Sequence, residues 1–173
     1  MQRLFIICYL IFVSQTASAF SYTLKISEES LQEKVEALMP LERKTYFITT
    51  VFSHPKVELS EKTNQIGVNL QMAISTPLGM KSTGHTKIVG TLDYNAQSHE
   101  FFFKNPQVID LTIDNMPDTS SFRDLAQMIA DKILATTPVY KLKGGDLKRD
   151  MAQTMLKSVK VEDKQLLVEL ELF

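Results

Sequence analysis

Apolar and polar residues alternate with period two through the middle of the chain, and with helical period in three flanking segments. Tyr22–Ile26 alternates and predicts a short first strand. Ser27 then offers an N-cap oxygen, and Glu28 and Glu29 suit the positive end of a helix dipole. Leu31, Val35 and Leu38 fall on one face of the amphipathic helix that follows, and Pro40 lies just past its end. From Thr45 to Asp114 the period is two. Thr45–Phe52 is β-branched and aromatic, Pro55 interrupts it, and Lys56–Leu59 continues beyond the bend. Ile66, Val68, Leu70, Met72 and Ile74 alternate with smaller or polar residues, which predicts a half-buried strand. Lys81–Tyr94 reads as a long strand, with Gly84 and Gly90 marking curvature or bulges. Turns at Pro77-Leu78-Gly79 and Asn95–Ser98 join these runs to Glu100–Phe103 and to Ile109, Leu111 and Ile113, so an antiparallel meander is expected.

Asp118–Ser121 starts a second helix running to about Ala135. Phe122, Leu125, Ala126, Met128, Ile129, Ala130, Ile133 and Leu134 leave it only a narrow polar stripe through Asp124, Gln127 and Asp131. A helix this apolar is expected to be enclosed by a sheet that curls around it. Pro138–Leu142 predicts a short strand. Gly144-Gly145-Asp146 turns into a third helix with Leu147, Met151 and Met155 as its buried stripe, and Val159–Val161 and Leu166–Leu172 make a closing hairpin. The expected fold class is therefore α+β: a strongly curved antiparallel β-sheet wrapped around a long apolar helix, with shorter N-terminal and C-terminal helices. No internal repeat, linker or low-complexity segment is read in the chain.

The first twenty residues change the picture of where this domain works. Arg3 is followed by the uncharged run Leu4–Val13, then Ser14-Gln15-Thr16 and Ala17-Ser18-Ala19. A basic start, a short apolar core and small residues before a cut are the parts of a secretory signal. The run is too short to span a bilayer, which takes about 20 residues. Residues 1–19 are expected to be a signal peptide cleaved after Ala19, and residues 20–173 a single periplasmic α+β domain. Cys8 lies inside the apolar run without the small flanking residues of a lipidation site. The mature chain is thus expected to carry no thiol, disulfide or lipid anchor. Losing Arg3 takes the formal net charge from −1 to −2, and so balanced a surface argues against a nucleic-acid partner.

Candidate chemistry is sparse. There is no G-x-S-x-G motif, and His54, His85 and His99 sit among polar neighbours in strands or turns. His85 and His99 fall on adjacent predicted strands, but one pair is not a metal site. Asp110 and Asp114 would lie about 13 Å apart along a strand, too far for paired acid–base work. Gly144-Gly145 precedes a helix, but Asp146 at its start would repel a phosphate. No catalytic residue, metal or cofactor is assigned. What remains is apolar: seven methionines beyond the leader, and Phe101-Phe102-Phe103, of which at least one must face away from the others.

Ser21–Glu29 opening a helix, then Pro138-Val139-Tyr140-Lys141-Leu142, a short amphipathic helix and a terminal apolar hairpin resemble the YceB-like envelope proteins of Gram-negative bacteria, a family of unknown function often lipidated. The resemblance implies a curved sheet around a long helix, similar to one barrel of the bactericidal permeability-increasing, tubular lipid-binding superfamily, whose groove takes up acyl chains. The lipidated cysteine of many relatives is missing here, where Phe20 would be the first mature residue. The functional expectation is a non-enzymatic periplasmic protein that binds a lipid or other elongated apolar ligand. Leu125, Met128, Ile129 and Ile133 would line the site opposite Val68, Leu70, Met72 and Phe101 or Phe103. The alternative is an envelope accessory module with a filled core, docking a protein partner on an outer patch such as the Phe101–Phe103 strand. No membrane span is expected after signal cleavage.

Overall fold

A computed structural model describes residues 21–44, 47–134, 136–142 and 154–172, with the side chains of Ser121, Ile129, Ile133, Thr154 and Leu172 outside that description. Strand β1 (Ser21–Ser27) leads directly into helix α1 (Glu28–Glu36). Ser27 caps the helix, its hydroxyl accepting from the Ser30 amide at 3.1 Å, and Leu31 and Val35 form its buried face. Short strand β2 (Leu41–Lys44) follows, then four long strands: β3 (Thr49–Ser60), β4 (Gln65–Ser75), β5 (Lys81–Asn95) and β6 (Glu100–Ile113). Helix α2 (Ser120–Ile133), short strand β7 (Pro138–Lys141) and the hairpin β8 (Thr154–Glu162) and β9 (Gln165–Leu172) complete the chain.

Strands β2 to β7 form one six-stranded antiparallel sheet in sequence order, and β1, β9 and β8 form a second of three. The period-two pattern does what the pleat requires: Ile66, Val68, Leu70, Met72 and Ile74 are all buried on one face of β4. Gly90 sits at a register shift between β5 and β6, where a Cβ would run into the Lys104 carbonyl and the Phe103 ring. Buried residues of both sheets and both helices belong to a single core, with Phe101, Leu166, Val168 and Leu170 at 0% exposure.

The edges of the large sheet are closed by side chains. β2 pairs with β3 only over Thr49–Phe52, and β7 pairs with β6 only over Glu100–Phe102, so among the described residues the rest of each strand lacks a neighbouring strand on its outer side. Unpaired amides and carbonyls of this kind invite another chain to add on. Along β3, Gln32 of α1 fills the gap: its Oε1 accepts from Val57 N at 2.7 Å and its Nε2 donates to Pro55 O at 2.7 Å. Glu28 extends the cover by accepting from Leu59 N at 2.8 Å. Along β6, Gln127 of α2 makes the same pair of bonds, to Val108 N at 2.9 Å and Pro106 O at 2.6 Å. The likeness extends further. Each glutamine also donates to an acid four residues on, Glu36 or Asp131, and each proline follows a residue of left-handed φ, His54 (50°) or Asn105 (48°). At the edge of the small sheet, Asn64 bonds Val161 N at 2.7 Å and Val159 O at 3.0 Å in the same way.

Several expectations need correction. Among the described residues the fold is mostly β with only two short helices, rather than α+β, and no long apolar helix lies at the centre with a sheet wrapped round it. α2 has 14 residues and lies along the edge of β6, with Met128 44% exposed. Apolar count alone cannot distinguish a helix enclosed by a sheet from one fastened to its rim. The expected third helix falls mainly on residues 143–153, outside the described residues, and Met155, placed in its buried stripe, lies on β8 and is 57% exposed. The strand expected from Thr45 begins at Thr49, with Thr45 and Tyr46 outside the described residues, and the short strand β2 was not expected. The His54-Pro55-Lys56-Val57 and Asn105-Pro106-Gln107-Val108 segments match in backbone and in the glutamine bonds they receive, a likeness of two short edge segments.

Candidate functional site

An apolar cleft opens where the two ends of the large sheet come together. One wall is α1 and the segment after it, with Leu31, Val35, Leu38, Met39 and Leu41. The floor is the inner face of the sheet, with Val57, Ile66, Val68, Leu70 and Phe103. The far wall is Leu134, Thr137 and Val139, between α2 and β7. Leu41 of β2 and Val139 of β7 stand at opposite ends of the strand order yet line one cleft, which is the geometry of a sheet curled into a half-barrel. The free volume is about 90 Å³.

Two smaller voids extend the cleft beneath α2. One of about 30 Å³ shares Met39, Leu41, Leu70 and Leu134 with it and adds Phe52, Thr86, Ile88, Ala126 and Ala130. The next, of about 20 Å³, shares Phe52 and Ala126 with the second and is lined by Thr50, Met72, Ile74, Leu111, Ile113, Phe122 and Leu125. Together they trace β4 from Ile66 to Ile74, about 26 Å at the usual rise per residue. Thr86 is 2% exposed and turns its hydroxyl to the Asp110 carbonyl at 3.0 Å, so it presents no free polar atom to the seam.

Of the residues chosen from the sequence, Val68, Leu70 and Phe103 line the cleft, and Met72 and Leu125 line the void nearest the start of α2. Phe101 lies away from these spaces, fully buried against the rings of Tyr94 (4.8 Å) and Tyr140 (6.2 Å). Met128 points outward from α2. The side chains of Ile129 and Ile133 lie outside the described residues. The sequence reading missed the α1 wall. The stripe Leu31, Val35 and Leu38 was legible as a buried helix face, but nothing local says that it closes a cleft rather than a solid core.

Polar clusters do not converge. His85 on β5 stands opposite Gln71 and Thr112, whereas His99 lies in the turn before β6 with its Nδ1 2.9 Å from the Tyr94 hydroxyl. Among the described residues no group of three or more His, Cys, Asp or Glu could hold a metal ion. A trough of about 720 Å³ along Asp93–Asn95 and Phe102–Asn105 is wider than the cleft. It is shallow and half polar, and the Lys104–Asp93 ion pair (3.2 Å) borders it. The cleft is partly enclosed and almost wholly apolar, which is compatible with a ligand-binding cavity. Among the described residues no helix is long and apolar enough to cross a membrane.

A model of a family described as "Protein of unknown function (DUF1439)" matches residues 26–165, a span that takes in every residue lining the cleft and its two extensions. No curated protein matches the chain.

Proposed function

The chain belongs to the DUF1439 family, whose function is unknown, and from that premise we propose that it binds one slender apolar chain, such as a lipid acyl tail, in the cleft beneath α1. The observation that carries this reading is the row of three apolar spaces along β4, each sharing lining residues with the next. Ligand pockets commonly measure about 300–1,000 Å³. At about 90 Å³ the cleft is smaller than that, and in this reading a chain enters by displacing Met39, Leu41 and Leu134, which are only partly buried. Methionine is suited to such yielding, being unbranched and adaptable. The reading includes no catalytic step, metal or cofactor. It also includes export to the periplasm by a signal cleaved after Ala19, without a lipid anchor, and kinship with the YceB-like envelope proteins. Likeness to the lipid-binding barrels is retained only for the curled sheet and its groove, since no long helix is wrapped by it.

The small volume favours a second reading, an envelope accessory module whose interior stays filled. Titration of the purified protein with a fluorescent C16 fatty acid separates the two. The first reading expects saturable 1:1 binding, weakened about tenfold by Leu38→Asp, which sets a charge at the half-exposed lip of the cleft. Absence of saturable binding, or binding indifferent to Leu38→Asp, leaves the filled-core module as the surviving reading.

A further inference from the structure

A cleft of about 90 Å³ must widen to hold an acyl chain, so, granted the cleft reading on which this step rests, one of its walls moves. Three elements could do so: helix α1, helix α2, and the strap Met39–Lys44 that carries β2. They differ in what holds them and in what their departure exposes.

Helix α1 is tied to the β3 edge by Gln32 and Glu28 through three bonds of 2.7–2.8 Å, and its Leu31 and Val35 are only 2% and 9% exposed. Helix α2 is tied to the β6 edge by Gln127 and by Arg123, which donates to Val108 O at 3.3 Å, and its Ala130 is 2% exposed. Lifting either helix strips a strand edge of its partners and wets side chains now out of water. Among the described residues the strap has no such anchor. Four residues of β2 lie opposite Thr49–Phe52, and its polar side chains bond within the strand. Lys44 Nζ lies 2.9 Å from Glu42 Oε1, and Arg43 donates to the Glu42 carbonyl at 3.0 Å. Glu42, Arg43 and Lys44 are exposed, and Met39 and Leu41 are only partly buried. A short edge strand of this kind belongs to the low-stability end of a fold.

The strap also covers the right place. Met39 and Leu41 line both the cleft and the space of about 30 Å³ beneath α2. Leu70 and Leu134 line both as well, but Leu70 is fixed in the floor on β4 and Leu134 at the end of α2. Moving Met39 and Leu41 outward therefore enlarges two neighbouring spaces at once. We infer that the strap Met39–Lys44 is the gate of the cleft: β2 peels from β3, carries Met39 and Leu41 aside, and closes over the bound chain while both helices stay fastened.

A disulfide across the β2–β3 ladder tests the gate. Glu42 stands opposite Val51, one residue on from the inward pair Leu41 and Phe52, so this pair lies on the face away from the cleft. Opposed residues of an antiparallel ladder have Cα atoms about 4.5–5.5 Å apart, within disulfide range. Oxidised Glu42→Cys/Val51→Cys protein should take up a fluorescent C16 fatty acid at least about tenfold more slowly than wild type, and reduction should restore the rate. Glu42→Cys alone, oxidised in the same way, should match wild type, which excludes a part for Cys8. Should that pair fail to bridge, Lys44→Cys/Thr49→Cys, the next pair on the same face, replaces it. Amide exchange without ligand is a second measure. The β2–β3 amides should open at least about tenfold more often than those of Val57 and Val108, which report release of α1 and α2. Uptake at the wild-type rate by the bridged protein, or faster opening at Val57 or Val108, overturns the gate and leaves the cleft reading intact. Wild-type protein without saturable uptake overturns both.

Discussion

Replacing Gln32 by alanine is the sharpest test of the idea that side-chain amides close the edges of the sheet. The change removes one acceptor and one donor from the edge of β3: the bond from Val57 N and the bond to Pro55 O, both 2.7 Å long. It also removes the bond to Glu36 on the helix surface, which is solvent-exposed and counts for little. Each backbone bond contributes about 1 kcal/mol net, and somewhat more if the freed group stays out of reach of water. Alanine returns a few tenths of a kcal/mol through its better helix propensity. The expected loss is thus about 1.5–2 kcal/mol, or roughly 3–8 °C in Tm for a domain of this size. Urea unfolding followed by far-UV circular dichroism measures the total, and amide hydrogen exchange at Val57 locates it. Exchange at Val57 should accelerate at least tenfold, matching about 1.4 kcal/mol, while Val68 across the ladder changes less. A loss below about 0.5 kcal/mol with unchanged protection at Val57 would show that water or β2 serves this edge equally well. Gln127→Ala should behave alike at Val108, and because the two glutamines bond different strands the double variant should be nearly additive.

Three further perturbations probe other parts of the structure. Asn64→Ala removes the two bonds that fix β8 of the small sheet to the β3–β4 turn, and should cost about 1–2 kcal/mol with faster amide exchange at Val161. Gly84→Ala places a Cβ against the Thr112 carbonyl and 3.1 Å from the Ile113 Cα, backbone atoms that cannot turn aside, so unfolding by urea should show a loss of about 2 kcal/mol or more. Glu58 is held below its ordinary value of 4.5, first by the hydrogen bond from Lys87 at 2.9 Å. A carboxyl lowered in the folded state stabilises above its unfolded pKa, and that contribution fades as pH falls through the folded value. Glu58→Gln should therefore lose a little stability at pH 7 and show a flatter decline below about pH 4.5, and an identical acid limb for both proteins would refute the assignment.

Local patterning determined much of this protein. The alternation of Ile66 to Ile74 places five side chains on one face whatever the partner strands are. Ser27 with Leu31 and Val35 specifies α1, and glycine at position 90 marks a place where the chain must approach Phe103 and Lys104 closely. These features depend on backbone geometry and on neighbours a few residues away. The placement of α2 did not follow from its composition. Its apolar residues fit equally a helix inside a barrel and one lying along a rim, and the outcome rests on where β7 ends and β6 is left bare. Gln127 shows the limit most clearly. Its position marks the polar stripe of the helix, yet its carboxamide stands in for a missing strand, a role set by a contact 19–21 residues away. The paired His54–Val57 and Asn105–Val108 segments were visible as letters, but their meaning required the bare edges beside them. The cleft is likewise a tertiary product, since Leu41 and Val139 meet only because the sheet curls, and no periodicity along either strand encodes how far it curls.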